Sequence, residues 1–245
     1  GDAAVQGGQR VHQGREIGEG LAFQRGKAGL QLGKVIGLFG QLALQLGGGG
    51  EGPALRHKLR RAKAKASELI QALLPFAQQG IAIVGLEPSC LYTLRDEALA
   101  LGLGPDAHTV AEHALMWEEF LAREAQAQQL EPLKARLQHT LQPIAVHGHC
   151  HQKAFDAVRP IEEVLSWIDG MAVEKIETSC CGMAGAFGYG MDTFDVSMKM
   201  ANANLLPKIR QAPSDTVIIA DGTSCRCQIK DGTAREAKHV AIILD

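Results

Sequence analysis

From about residue 68 to the carboxyl end, short apolar runs alternate with segments of helical periodicity, and each run is followed within a few residues by cysteine. Val84 precedes Cys90, Val146 precedes Cys150, Glu177 precedes Cys180 and Cys181, and Ile219 precedes Cys225 and Cys227. Short apolar runs bounded by turn residues read as buried strands, and apolar residues three or four apart read as a helix face. On this basis strands are expected at 81–84, 144–146, 171–177 and 216–219. Helices are expected from Leu69, Ile70, Leu73 and Leu74, over about 109–128, over 160–168 with proline in the first turn, over 194–209 and over 234–243. Strands separated by crossover helices specify an α/β fold with a mainly parallel sheet, the cysteines lying on loops after the strand carboxyl ends.

In such sheets the connections beyond the strand carboxyl ends converge on one crevice, so thiols distant in sequence are expected to meet there. The plain alternative is that they are small buried hydrophobes, since free cysteine is among the most buried residue types. That reading suits a single cysteine better than five thiols in three strand-end connections. The grouping is a single Cys150, a vicinal pair Cys180-Cys181, then Cys225-x-Cys227. Mononuclear zinc sites usually draw ligands from C-x2-4-C pairs, whose turn lets both sulfurs reach one ion. Neighbouring side chains in an extended segment point apart, so Cys180 and Cys181 suit different metal atoms of a polynuclear iron-sulfur centre. A tight turn would bring them together, and zinc stays open.

Gly182, Gly185, Gly188 and Gly190 follow the pair and permit close backbone approach to a bulky group, or simply a mobile loop. His147, His149 and His151 flank Cys150 as candidate ligands or supporting donors. Lys153, Arg226, Lys230 and His239 are candidates to stabilise thiolates or an anionic acceptor.

The amino-terminal quarter is different. Residues 1–52 hold 16 of the 28 glycines and none of the cysteines. Glycine costs about 1 kcal/mol in a helix interior, so weak or no independent folding is expected there, even around Leu30 to Phe39. Divergence and a sequence that is not native, through a reading-frame error, are both open. Residues 53–67 carry Arg56, Lys58, Arg60, Arg61, Lys63 and Lys65 before the first acid, Glu68, which reads as a solvated helix face or a patch for an acidic partner.

A faint internal echo aligns Val84 to Cys90 with Ile219 to Cys225, each an apolar strand end, a bend, then Ser-Cys. It divides the chain into the Gly-rich segment 1–52, a thiol-poor remnant of one module at 53–140, and a full module at 141–245.

Lys+Arg 25 against Asp+Glu 27 leaves a formal charge of -2, which argues against nucleic acid or an anionic membrane as partner. Eleven aromatic residues are too few for a base-stacking platform. No stretch reaches the roughly 18 apolar residues of a membrane span. The chain starts at Gly1 without an initiator Met or an export-like segment, so it is read as part of a longer product. Together with unpaired thiols this gives an expectation of cytoplasmic location, at most peripheral to the inner face of a membrane.

The segments Val146-His147-Gly148-His149-Cys150-His151-Gln152-Lys153-Ala154, Ser179-Cys180-Cys181-Gly182-Met183-Ala184-Gly185 and Asp221-Gly222-Thr223-Ser224-Cys225 resemble the cysteine-rich CCG domain. That domain occurs in heterodisulfide reductases, in glycolate oxidase iron-sulfur subunits and at the carboxyl end of FAD-linked oxidases, the last being the nearest likeness over about 68–245. The resemblance implies two modules and a four-iron cluster on Cys150, Cys180, Cys181 and Cys225, with Cys90 matching the last thiol of the first module. The fullest family pattern ends Cys-x-x-Cys where this chain has Cys225-Arg226-Cys227, so Cys227 is either a fifth ligand or a bystander. The implied role is electron transfer for an FAD-linked 2-hydroxy-acid (glycolate or lactate type) oxidoreductase. Its flavin would lie on a partner or upstream domain, and electrons would leave to a downstream acceptor. No dinucleotide-binding fingerprint follows a strand here, so the flavin rests on the resemblance alone. The competing functions are a structural zinc module and a thiol-disulfide (heterodisulfide) reductase working through Cys180 and Cys181.

Overall fold

The computed structural model describes residues 53–245. The Gly-rich segment 1–52, with its apolar stretch, lies outside the described residues. Helix α1 (Pro53–Ala77) comes first. It buries Ala66, Leu69 and Ile70 and leaves Arg56, Arg60 and Arg61 exposed, as a one-sided apolar pattern requires. Strand β1 (Ile83–Gly85), helices α2 (Pro88–Arg95), α3 (Glu97–Ala100) and α4 (Pro105–His113), and strand β2 (Ala114–Met116) follow. Next are helices α5 (Trp117–Gln126) and α6 (Glu131–Lys134), strand β3 (Ile144–Val146), and helices α7 (Cys150–Ala154) and α8 (Arg159–Leu165). Strand β4 (Val173–Lys175) leads through a 3-10 turn at Phe187–Tyr189 to α9 (Phe194–Ala203) and α10 (Leu205–Gln211). The chain closes with β5 (Val217–Ile219), α11 (Thr223–Thr233), β6 (Ala237–Lys238) and α12 (Val240–Ile243).

The fold is α/β with parallel pairing throughout. β1 and β2 form a two-stranded sheet, and the other strands form a four-stranded sheet in the order β4-β3-β5-β6. All three residues of β3 are buried, as a central parallel strand requires, whereas β4 exposes Glu174 and Lys175 along its edge. Leu69, Ile70, Leu91 and Val110 pack a core around β1 and β2. Ile144, Val146, Ile161 and Ile219 pack one beside the larger sheet, which Leu121 and Ala125 of α5 also enter. Leu205, Ile209, Ile218, Ile229, Cys181 and Cys225 form a third. Among the described residues no helix is long and apolar enough to cross a membrane.

Three local expectations change. The single helix over 109–128 is two helices separated by β2, because Ala114 to Met116 satisfy the backbone groups of Ile83 to Gly85. Glu119 then opens α5 by accepting the Met116 N–H at 2.8 Å. The helix over 194–209 breaks at Asn204, whose φ and ψ are -145° and -52°, placing Pro207 in the first turn of α10, where it needs no N–H partner. The helix over 234–243 is instead a left-handed Ala234 (φ 58°), strand β6 paired to β5, and the short α12. Pairing to a buried strand outweighs local helix propensity in both β2 and β6.

The cysteines do follow the strand ends, but three of the six sit in the first turn of the next helix. Cys150 is the first residue of α7, and Cys90 and Cys225 are the third residues of α2 and α11. Ser89-Cys90 and Ser224-Cys225 thus occupy matching helical positions, which is the geometry behind the echo in the sequence.

Candidate metal centre

His149 is the N-cap of α7: its ring accepts the His151 N–H at 3.2 Å while Gln152 Oε1 accepts the His149 N–H at 2.9 Å, a reciprocal capping box. This fixes Cys150 at the helix start. Three residues on, Lys153 Nζ donates to the Thr178 carbonyl at 2.9 Å and also to the Ser179 carbonyl. Lys208 Nζ donates to the Glu177 carbonyl at 2.8 Å, so two lysines hold the segment that enters the vicinal pair. Gly182 has φ +91°, and a Cβ there would collide with the Ser197 carbonyl. Only glycine suits that turn, which lets the Gly182 N–H donate to Cys180 Sγ at 3.2 Å.

Four thiols come together. Cys181 and Cys225 sulfurs are hydrogen-bonded at 3.4 Å, Cys180 bonds to Cys150 and to Cys181, and Cys150 also feels the charge of Cys225. Cys181 and Cys225 are buried, and Cys150 and Cys180 are half-buried. The protons divide unevenly. Hydrogen bonds from Cys150 and Cys181 hold Cys180 far below the ordinary thiol range, and the Cys181 contact does the same for Cys225. Cys150 and Cys181 are pushed up, by those same partners first and by burial next. The thiols thus share their protons through mutual hydrogen bonds, and a metal would displace those protons.

His147 is 1% exposed, and its Nδ1 is 2.9 Å from Thr178 Oγ1. The ring also hydrogen-bonds Cys225 and helps to keep it ionised. His149 is committed on both nitrogens, to the His151 N–H and, at 3.3 Å, to Ser89 Oγ. Burial pulls its pKa down, so it faces the thiols as a neutral ring. His151 turns toward Glu97 and Tyr92.

The chain is similar to parts of dehydrogenases. It is 25% identical to a subunit of the anaerobic glycerol-3-phosphate dehydrogenase of Escherichia coli (strain K12) over 168 residues, 68% of this chain and 40% of that protein. It is 28% identical to D-2-hydroxyglutarate dehydrogenase of Haemophilus influenzae over 180 residues, 70% of this chain and 17% of the relative. The Escherichia coli (strain K12) protein of the same name is 24% identical over 192 residues, 78% of this chain and 18% of the relative. The chain thus spans well under half the length of these curated relatives. No protein-family model matches it, and no solved structure does.

Two thiols stand apart from the four. Cys227 lies two residues beyond Cys225 on α11, about 200° around the helix, and its contact is the Tyr189 hydroxyl. The pKa of Cys90 is pushed up to about 12 by burial and by Glu87. Of the cations considered as thiolate partners, Lys153 does favour the Cys150 thiolate by its charge, and the other three are engaged elsewhere. Arg226 donates to the Ala220 and Asp221 carbonyls, Lys230 pairs with Glu236, and His239 Nε2 is 2.7 Å from the Leu86 carbonyl oxygen. Sequence reasoning missed the buried acids behind the site. Gln152 Nε2 donates to Glu118 Oε1 at 2.7 Å and to Asp221 Oδ2 at 3.0 Å, and only the capping-box spacing from His149 to Gln152 hinted at that role.

Proposed function

We propose that this region holds a four-iron, thiolate-ligated cluster on Cys150, Cys180, Cys181 and Cys225 as a module of the CCG type. It would serve as the electron-transfer part of an FAD-linked 2-hydroxy-acid dehydrogenase whose flavin lies on a partner domain or subunit. The observation that carries this reading is the convergence of four thiols from three strand-end connections, with Cys181 and Cys225 at 3.4 Å. The similarity to regions of two kinds of dehydrogenase supports the redox role.

The residues fit such a group. The donor set is all sulfur, and hydrogen bonds from their neighbours pull Cys180 and Cys225 toward the thiolate form. The His147 ring, buried against Cys225, is a donor suited to a sulfur acceptor, and the Gly182 N–H already points at Cys180 Sγ. When bound, an iron-sulfur cluster supplies reversible one-electron storage. The chain's own part is to hold the thiolates, exclude water with the third core and set hydrogen bonds on sulfur. Cys227 is outside the proposed ligand set because it faces Tyr189. In this reading the Cys90 half descends from a second module that has lost its other thiols.

Anaerobic reconstitution with iron and sulfide tests the reading. About four iron and four sulfide per chain, with cluster absorbance and an EPR signal on reduction, is expected. Stoichiometric zinc without sulfide would overturn it in favour of a mononuclear site. Dithiol-dependent disulfide turnover in metal-free protein would overturn it in favour of thiol chemistry.

A further inference from the structure

Behind the thiols lies a pair of carboxyl groups that electron transfer leaves without a task. Glu118 on α5 is 0% exposed and Asp221, beyond β5, is 1% exposed. One nitrogen, Gln152 Nε2, reaches both, at 2.7 Å from Glu118 Oε1 and 3.0 Å from Asp221 Oδ2. The two acids are unequally supported. Asp221 Oδ1 also accepts the Val240 N–H at 3.0 Å and lies 3.6 Å from His239 Nε2. Glu118 Oε2 is buried with no partner among the described residues.

We propose that Glu118 is a proton-binding site of the thiol centre. In the pH window where its carboxyl titrates, it takes up one proton when the centre gains an electron and releases it when the electron leaves. The linkage to redox rests on the electron-transfer reading; the proton site itself does not.

Two carboxylates on one amide inside a dry core repel, and the one with an unpartnered buried oxygen takes the proton. Burial first and the charge of Asp221 second push Glu118 in that direction. Among the described residues no ion pair brings a lysine or arginine to Glu118. On the same helix Glu119 is paired with Arg95 of α2 at 2.7 Å. Tyr92 of α2 presents a buried hydroxyl that has no partner among the described residues and feels Glu119, Glu118 and Asp221. On α7, Lys153 is turned to the Thr178 and Ser179 carbonyls and His151 to Glu97, while His239 faces Asp221.

The acids are joined to the thiols through the backbone. Gln152 Oε1 accepts the N–H of His149, the residue before Cys150, and Asp221 begins the bend that delivers Cys225. With a cluster held by the four thiols, one electron delivered by a reduced flavin would add a negative charge to the centre and raise the proton affinity of Glu118. One proton from water would compensate it, and oxidation would reverse both changes.

Infrared spectroscopy and a redox titration of the full chain test this. A protonated-carboxyl band, shifted in D2O, should be present at neutral pH before reconstitution and absent in Glu118→Gln. Should that variant fail to fold, Asp221→Asn should move the loss of the band to lower pH. In reconstituted protein the electron affinity should fall with rising pH by up to tenfold per unit, about 59 mV for one electron, within the window where Glu118 titrates. Glu118→Gln should abolish that slope. No band in the starting protein, a band surviving Glu118→Gln, or an unchanged slope in that variant overturns the proposal. If no cluster assembles, the electron-transfer reading and the redox linkage fall together, and the infrared band still decides the proton site.

Discussion

Glu87 Oε2 accepts two hydrogen bonds from Thr223, 2.8 Å from its backbone nitrogen and 2.6 Å from its hydroxyl, across 136 residues of sequence. Thr223 is the first residue of α11, the helix that carries Cys225, and its N-cap is Gly222, which has no side chain to offer. A carboxylate from the other half of the chain therefore does the capping, where the helix dipole also favours negative charge. Ser89 adds a contact to His149 at 3.3 Å, and the Leu86 carbonyl oxygen lies 2.7 Å from His239 Nε2. The thiol-poor half thus buttresses the site with the turn that precedes its own single cysteine.

Glu87→Ala should lower stability by about 1 kcal/mol, the usual cost of losing a helix cap. It should also loosen Cys225, read as faster alkylation of that thiol in metal-free protein. Chemical denaturation and mass-resolved labelling check both, and an unchanged Cys225 rate would refute the coupling.

Serine in place of Cys150, Cys180, Cys181 or Cys225 should each reduce iron incorporation several-fold. Cys227→Ser and Cys90→Ser should leave it near wild type, since neither thiol joins the four. Iron and sulfide analysis after identical reconstitution distinguishes the two groups. Loss in Cys227→Ser equal to that in Cys225→Ser would return Cys227 to the ligand set.

Gly182→Ala should be far more damaging than Gly185→Ala. Both have positive φ, +91° and +71°, but a Cβ at 182 meets the Ser197 backbone and one at 185 meets nothing. Strain alone costs about 1 kcal/mol at Gly185, and at Gly182 the clash must also move the loop bearing Cys180 and Cys181. Thermal melts with metal content should show a modest loss of stability for Gly185→Ala and loss of binding for Gly182→Ala.

Stability should respond to pH through Glu118. Its folded-state pKa is raised above the ordinary 4.5, so the folded chain binds more protons than the unfolded one. The favourable contribution is fully present below the unfolded value and is lost as pH rises toward the folded one. Glu118→Gln should remove this slope, gaining on wild type by about 1.4 kcal/mol per pH unit across that window. Denaturation at a series of pH values checks it, and parallel curves for the two proteins would refute it.

The order of strands and helices from β3 to β5 was legible because Ile144 to Val146 and Val217 to Ile219 are apolar runs that local pattern alone marks as buried strands. The vicinal pair with Gly182, and Cys150 after His149, marked the thiol site for the same reason: the chemistry is carried by residues adjacent in the chain. Strands β2 and β6 were not legible, since Ala114 to Met116 and Ala237 to Lys238 become strands only because β1 and β5 offer open edges. Helix α11 was hidden too, with a glycine for its N-cap and its capping carboxylate 136 residues away.

The sequence by itself determined that thiols follow strand ends, because strand and helix periods are local properties of the chain. Tertiary structure alone decided which thiols meet, separating Cys227 from Cys225, and brought Glu118 to within reach of Asp221. Those are contacts between distant segments, fixed by how helices pack on the sheet, and no local pattern encodes them.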